Sequence, residues 1–169
     1  HPDKRRWFDM ISVEANISWW VVFRALLDAT GNKQYADGLK RLKSFFVERA
    51  YDATAGIFHN RLQFRDGKWQ ALEGFSSQCQ LWAILAIDGA GIKEWYHDSR
   101  LVENLWQNTK KYAGGFKGKT LAGIDFTDWR NNPDTNGRDP LVSFERTAAA
   151  VLAARIAGDI DAERVLRKV

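Results

Sequence analysis

The chain is 169 residues long, and with 45% hydrophobic and 27% charged residues it has the composition of one packed globular domain, which excludes disorder. Its net charge of +4 is spread without a basic stripe or a recognition motif, so no nucleic-acid partner is indicated, and no apolar run approaches the roughly 18 residues of a membrane-spanning helix. A single cysteine, Cys79, excludes a disulfide framework or a cysteine-based zinc site within these residues.

The N-terminal His1-Pro2-Asp3-Lys4-Arg5-Arg6 lacks the apolar stretch of a signal peptide. Residues 13–30 are apolar nearly all round, through Ile17, Trp19, Trp20, Val22, Phe23 and Leu26, and stop at Gly31. That pattern predicts a helix buried on most sides. Residues 33–51 are amphipathic instead, with Leu39, Leu42 and Phe46 on one face and Lys40, Arg41 and Lys43 on the other. Residues 57–71 read as a β-hairpin about Asp66-Gly67. The helical alternation then returns. Residues 79–87 are apolar all round, and 92–113 carry Leu101, Val102, Leu105 and Tyr112 at helical spacing. The Gly-rich stretch 114–141 predicts a long loop rich in Gly, Asn and Asp. Residues 147–157 repeat the apolar pattern up to Gly158, and 161–169 begin a polar-faced helix.

The three apolar helices open with related tripeptides: Ser12-Val13-Glu14, Ser76-Ser77-Gln78 and Ser143-Phe144-Glu145. Glu14, Gln78 and Glu145 fall 64 and 67 residues apart, the near-constant period of a repeat architecture. The expectation is a single all-α domain of three helical hairpins, about 13–51, 76–113 and 142–169. Each hairpin pairs an inner helix with an outer one. Both long connections then lie on the side of the inner-helix N-termini.

Four segments carry a resemblance: Ser12-Val13-Glu14-Ala15-Asn16, Phe75-Ser76-Ser77-Gln78-Cys79-Gln80-Leu81-Trp82, Asp125-Phe126-Thr127-Asp128-Trp129 and Val142-Ser143-Phe144-Glu145-Arg146-Thr147. With the alternating helices they resemble the α/α toroids of the six-hairpin glycosidase superfamily. The resemblance implies a partial α/α toroid and an O-glycosyl hydrolase acting on an oligo- or polysaccharide without a cofactor. It also implies an extracellular or periplasmic location. A full ring has six hairpins and this chain reads as three, so self-association or a missing half-toroid is expected to complete it.

Glycoside hydrolysis uses two carboxyl groups flanking the bond. Glu14 and Glu145 at two inner-helix starts, Asp125 and Asp128 on the longest loop, and Glu73 ahead of the second inner helix are the candidates. The expected mechanism has Glu14 or Glu145 protonating the leaving oxygen while Asp128 activates water. Each also has a structural reading: Ser-x-Glu caps a helix, and loop aspartates form Asx turns. Arg146 is placed to pair with Glu145. Gln78, an amide, can bind a sugar hydroxyl but cannot act as acid or base. Trp69, Phe75, Phe126 and Trp129 are the stacking candidates, while Trp19, Trp20, Trp82 and Phe23 read as core. His59 would support an epimerase or polysaccharide lyase. A non-catalytic glycan-binding or assembly module is the remaining alternative, favoured by Gln78 at a repeat position. His1, His59 and His97 are too scattered for a metal site, and the glycines at 114–118 lack phosphate-loop spacing.

Overall fold

The computed structural model describes residues 9–87, 89–131 and 138–169. His1 and the 132–137 part of the Gly/Asn/Asp-rich stretch lie outside these. Among the described residues seven helices and three small sheets alternate, 56% helical and 18% strand. This overturns the expectation of an all-α partial toroid: the architecture is mixed α/β.

Strand β1 (Met10–Ser12) leads directly into α1 (Val13–Thr30), which ends at Gly31 with φ 64°. α2 (Lys33–Phe45) follows, and a π-helical turn, Phe46–Ala50, delivers the chain into β2 (Tyr51–Asp52). β2 pairs with β3 (Ile57–Phe58), and β4 (Arg61–Arg65) pairs with β5 (Lys68–Ala71). The β4–β5 turn is Asp66-Gly67, both residues at positive φ, as a two-residue hairpin of right-handed twist requires. β1 adds to the free edge of β4, making a three-stranded antiparallel sheet ordered β1-β4-β5.

The second helical group is α3 (Ser77–Ala86), α4 (Gly89–Tyr96) and α5 (Leu101–Ala113). The stretch expected as one outer helix is therefore two, broken at His97, which takes φ 51°. The stretch expected to be loop after α5 is a hairpin, β6 (Gly114–Lys117) and β7 (Thr120–Ile124). Its glycines let backbone approach backbone: a Cβ on Gly123 would collide with Val142, and one on Gly114 with the Lys110 carbonyl. α6 (Phe144–Ile156) and α7 (Ile160–Leu166) close the chain.

α3 is the hub. It packs on α1, α5 and α6, and Cys79, Leu81, Ala83 and Ile84 are buried. Burial pushes the Cys79 thiol up to about 11, so it is an inert part of the core. Trp106 of α5 is wholly buried, and its Nε1 donates to Asp159 at 2.9 Å. α1 differs from expectation. Val13 and Ile17 are its buried residues, whereas Trp19 is 53% exposed.

Candidate functional site

The N-termini of α1, α3 and α6, each capped by a serine, lie at one pole. Ser12 Oγ accepts from the Ala15 amide at 3.1 Å, Ser76 Oγ from Cys79 at 3.5 Å and Ser143 Oγ from Arg146 at 3.3 Å. The Asn60 carbonyl ties α1 to α3, accepting from the Val13 amide at 3.2 Å and the Cys79 thiol at 4.0 Å. The 124–127 segment ties α3 to α6. The Ser77 amide donates to Phe126 O at 3.1 Å and the Ser143 amide to Ile124 O at 2.9 Å.

Glu14, Gln78 and Glu145 thus occupy the same helical position on a row of three helices. α3 packs against both α1 and α6, so Glu14 and Glu145 start two helices that each flank it.

Asp125 is occupied, by structure. Its carboxylate is wholly buried and receives Arg138 Nη1 at 2.8 Å and Nη2 at 3.0 Å. The amides of Leu141 and Phe126 donate to it at 2.6 Å each. Burial pushes its carboxyl up, but the guanidinium and the two amides outweigh that and hold it below the usual aspartate range. No lone pair is left to aim at a substrate.

Among the described residues three cavities border this pole. The largest of them is a polar cleft of about 590 Å³ between the β3–β5 segment, α5 and the 127–131 turn. Glu73 and Asp128 line it from separate chain segments, with His59, Asn60, Arg61 and Asn131 as further polar groups. Phe75 and Tyr112 form its aromatic wall, their ring centroids 5.1 Å apart. The Arg130 and Asn131 amides, at 3.2 and 3.3 Å, and Asn131 Nδ2, at 2.9 Å, fix the plane of the Asp128 carboxylate. Behind the cleft, buried Gln80 acts as an extra strand for β3: Oε1 accepts from the Phe58 amide and Nε2 donates to the Phe58 carbonyl, both at 2.8 Å. That anchors His59, whose imidazole burial pushes below its ordinary value against the opposing pull of Asp52. His59 also borders a pocket of about 340 Å³ that holds Trp69, Glu48 and Arg49.

The third cavity is an apolar groove of about 350 Å³ between α3 and α6, with Gln78, Glu145 and Arg146 at its polar end. Glu145 pairs with Arg146, whose Cζ lies 5.0 Å from the Phe126 ring centroid. Asp128 and Glu145, the expected partners in catalysis, therefore line different cavities. Trp129 faces neither: its Nε1 donates to the Gly114 carbonyl at 3.3 Å, and the Arg130 guanidinium lies 4.2 Å from its ring centroid.

Sequence reasoning missed three contributors. Tyr112 reads as the apolar face of an amphipathic helix, Gln80 as one polar residue in an apolar run, and Arg138 as loop. No local signal links Arg138 to a carboxylate 13 positions earlier. Among the described residues no three His, Cys, Asp or Glu side chains gather as a metal site. Among the same residues no helix is long and apolar enough to cross a membrane.

These features define a mixed α/β domain in which serine-capped helices present unlike cavities at one pole. No protein-family model matches the chain, and no curated protein matches it.

Proposed function

We propose that the chain is a glycoside hydrolase acting on an oligo- or polysaccharide, with the polar cleft as its sugar site. The observation that carries this reading is that Glu73 and Asp128 line one cleft beside an aromatic wall. A pyranose ring has apolar faces and a hydroxyl rim. Tyr112, backed by the buried Phe75, suits the faces, and His59, Arg61 and Asn131 suit the rim. Asp128, held in plane by its turn, activates water, and Glu73 from a separate segment of the cleft delivers the proton to the leaving oxygen. This keeps the chemistry implied by the six-hairpin glycosidase resemblance while moving the acid from Glu14 or Glu145 to Glu73. The reading also expects a completing protein surface against α1, and the exposed Trp19, Val21 and Val22 there support it.

The test is release of new reducing ends from a panel of neutral and acidic polysaccharides. Glu73→Gln and Asp128→Asn should each lower turnover about 100-fold or more, while Glu14→Gln and Glu145→Gln retain at least half of it. The reading fails if the cleft variants stay active. His59, whose imidazole is kept toward its neutral form by burial, favours a second reading as a proton-abstracting base in a lyase or epimerase. Unsaturated or epimerised products, lost in His59→Gln, would replace hydrolysis with that chemistry.

A further inference from the structure

The pocket of about 340 Å³ beside the polar cleft is built by three segments that the fold ties to one another. The π-helical turn Phe46–Ala50 buries both of its end residues and leaves Glu48 and Arg49 exposed between them, lining the pocket. Such turns are rare and recur at functional sites. The Ala50 carbonyl accepts the His59 amide at 2.8 Å, which fixes the second segment to the first. The third is β5, whose Trp69 and Ala71 are two residues apart and so share one face. Phe64 of β4, directly across from Trp69, braces its indole, with ring centroids 5.3 Å apart.

This pocket and the polar cleft both have His59 and Ala71 in their linings, so they are neighbouring chambers of one groove. Trp69 lines only the pocket and Glu73 only the cleft. Along β5 the Cα atoms of Trp69 and Ala71 are about 7 Å apart, so the indole stands one step beyond the shared boundary. The pocket's polar groups suit a neutral ring that carries hydroxyls. Glu48 offers acceptors and Arg49 offers donors, and among the described residues neither side chain is engaged in an ion pair or a hydrogen bond. Together they answer both the donor and the acceptor of a hydroxyl, whereas an anionic ligand would meet Glu48 and a cationic one Arg49. The imidazole of His59, kept toward its neutral form by burial, adds no charge.

We propose that this pocket is a second sugar subsite, with Trp69 as its stacking platform and Glu48 and Arg49 as its hydroxyl partners, and that the groove takes a neutral oligosaccharide chain rather than a single sugar. The proposal rests on the hydrolase reading for the chemistry at Glu73 and Asp128, but binding in the pocket does not require turnover.

The probes are cello-, manno- and xylo-oligosaccharides of two to six residues, with oligogalacturonates of the same lengths as the acidic comparison. Affinity is measured by calorimetry on Asp128→Asn, so that no product accumulates, and release of reducing ends is followed separately on the unaltered chain. The hexasaccharide of at least one neutral series should bind at least about tenfold more tightly than its disaccharide. Trp69→Ala should remove most of that advantage, and Arg49→Ala should weaken the hexasaccharide about three- to tenfold. Arg49 is exposed, so its substitution tests the pocket without disturbing the core, and Trp69→Phe, which keeps a ring, should recover part of the loss. The proposal is overturned if no neutral series gains affinity with length, if the gain survives both Trp69→Ala and Arg49→Ala, or if the oligogalacturonates bind more tightly than every neutral series. Length-dependent binding without reducing ends would uphold the subsite and sink the hydrolase reading, and reducing ends with no dependence on length would do the reverse.

Discussion

Asp125 and Asp128 sit in one segment, Asp125-Phe126-Thr127-Asp128-Trp129, and the sequence treats them alike: two loop aspartates, each beside an aromatic residue. The fold makes them opposites. Asp125 is wholly buried and tied by Arg138 and Leu141 to a distant part of the chain, whereas Asp128 is half-buried and holds its own turn. A carboxylate becomes structural when a cation and amides from elsewhere fill its oxygens. It stays available for chemistry when its partners are local and one side faces a cleft. Alternation along an extended segment says that the two point different ways, but not which of them finds an arginine.

The largest expected effect breaks the structural member of this pair. Asp125→Ala strands Arg138 and two amides, and it loosens the segment whose carbonyl accepts from Ser77 Oγ at 2.6 Å. Removing one partner of a buried ion pair costs about 3–5 kcal/mol. Arg138 is 29% exposed and can be partly rehydrated, so a loss near the lower end, about 3 kcal/mol, is expected in urea unfolding. A loss below about 1 kcal/mol would mean that the ion pair does not organise the pole.

Acid sharpens the comparison at intermediate cost. The folded pKa of Asp125 lies below its unfolded value, so its contribution is fully present above about pH 4 and is lost as pH falls through the folded value. Asp159 and Glu163 shift the same way and deepen that arm. Burial opposes the shift of Asp159 but is outweighed by Lys110 and Trp106, while Glu163 is held down first by Arg155. His59 acts at higher pH. Burial disfavours its charged form, so the unfolded chain binds the extra proton first and stability starts to fall as pH drops through about 6.5. Unfolding midpoints should therefore decline in two arms, a shallow one below about pH 6.5 and a steeper one below about pH 4. His59→Gln should flatten the upper arm, and Asp125→Asn should shrink the lower one. A missing upper arm in the wild-type chain would contradict the His59 assignment, and a missing lower arm that of Asp125.

The sequence made the helix starts readable because Ser at the cap is a local device: Ser12, Ser76 and Ser143 each bond an amide three residues on. The Asp66-Gly67 turn was legible for the same reason, since positive φ at two successive positions has few suitable dipeptides. The β6–β7 hairpin was not. Gly114, Gly115 and Gly123 read as loop, yet they are strand residues selected by the close approach of Lys110, Pro140 and Val142. The burial of α1 was misjudged because apolar periodicity reports a helix's preference, not which of its faces this chain covers. Trp19 and Val22 stand exposed as a result. In the site, Glu73, Asp128 and Phe75 were visible as candidates, but their union with Tyr112 in one cleft depends on the β3–β5 segment folding over α5, a tertiary fact.

The smallest effect on stability should come from Asp128, and it is the test that separates the two aspartates most cleanly. Its Oδ1 accepts the Arg130 and Asn131 amides at 3.2 and 3.3 Å, bonds that an asparagine Oδ1 can also accept, whereas the exposed bond from Asn131 Nδ2 to Oδ2 would be lost. Asp128→Asn should therefore lower unfolding free energy by about 0.5 kcal/mol, and Asp128→Ala, which removes both acceptors, by about 1 kcal/mol or more. On the proposed function both variants lose turnover alike, because neither retains the second charged oxygen that draws a proton from water. A stability loss in Asp128→Ala as large as in Asp125→Ala would make both residues structural, and the base would then have to be sought elsewhere in the cleft. Equal stability with intact turnover in Asp128→Asn would instead leave the contrast in burial standing and remove its catalytic meaning.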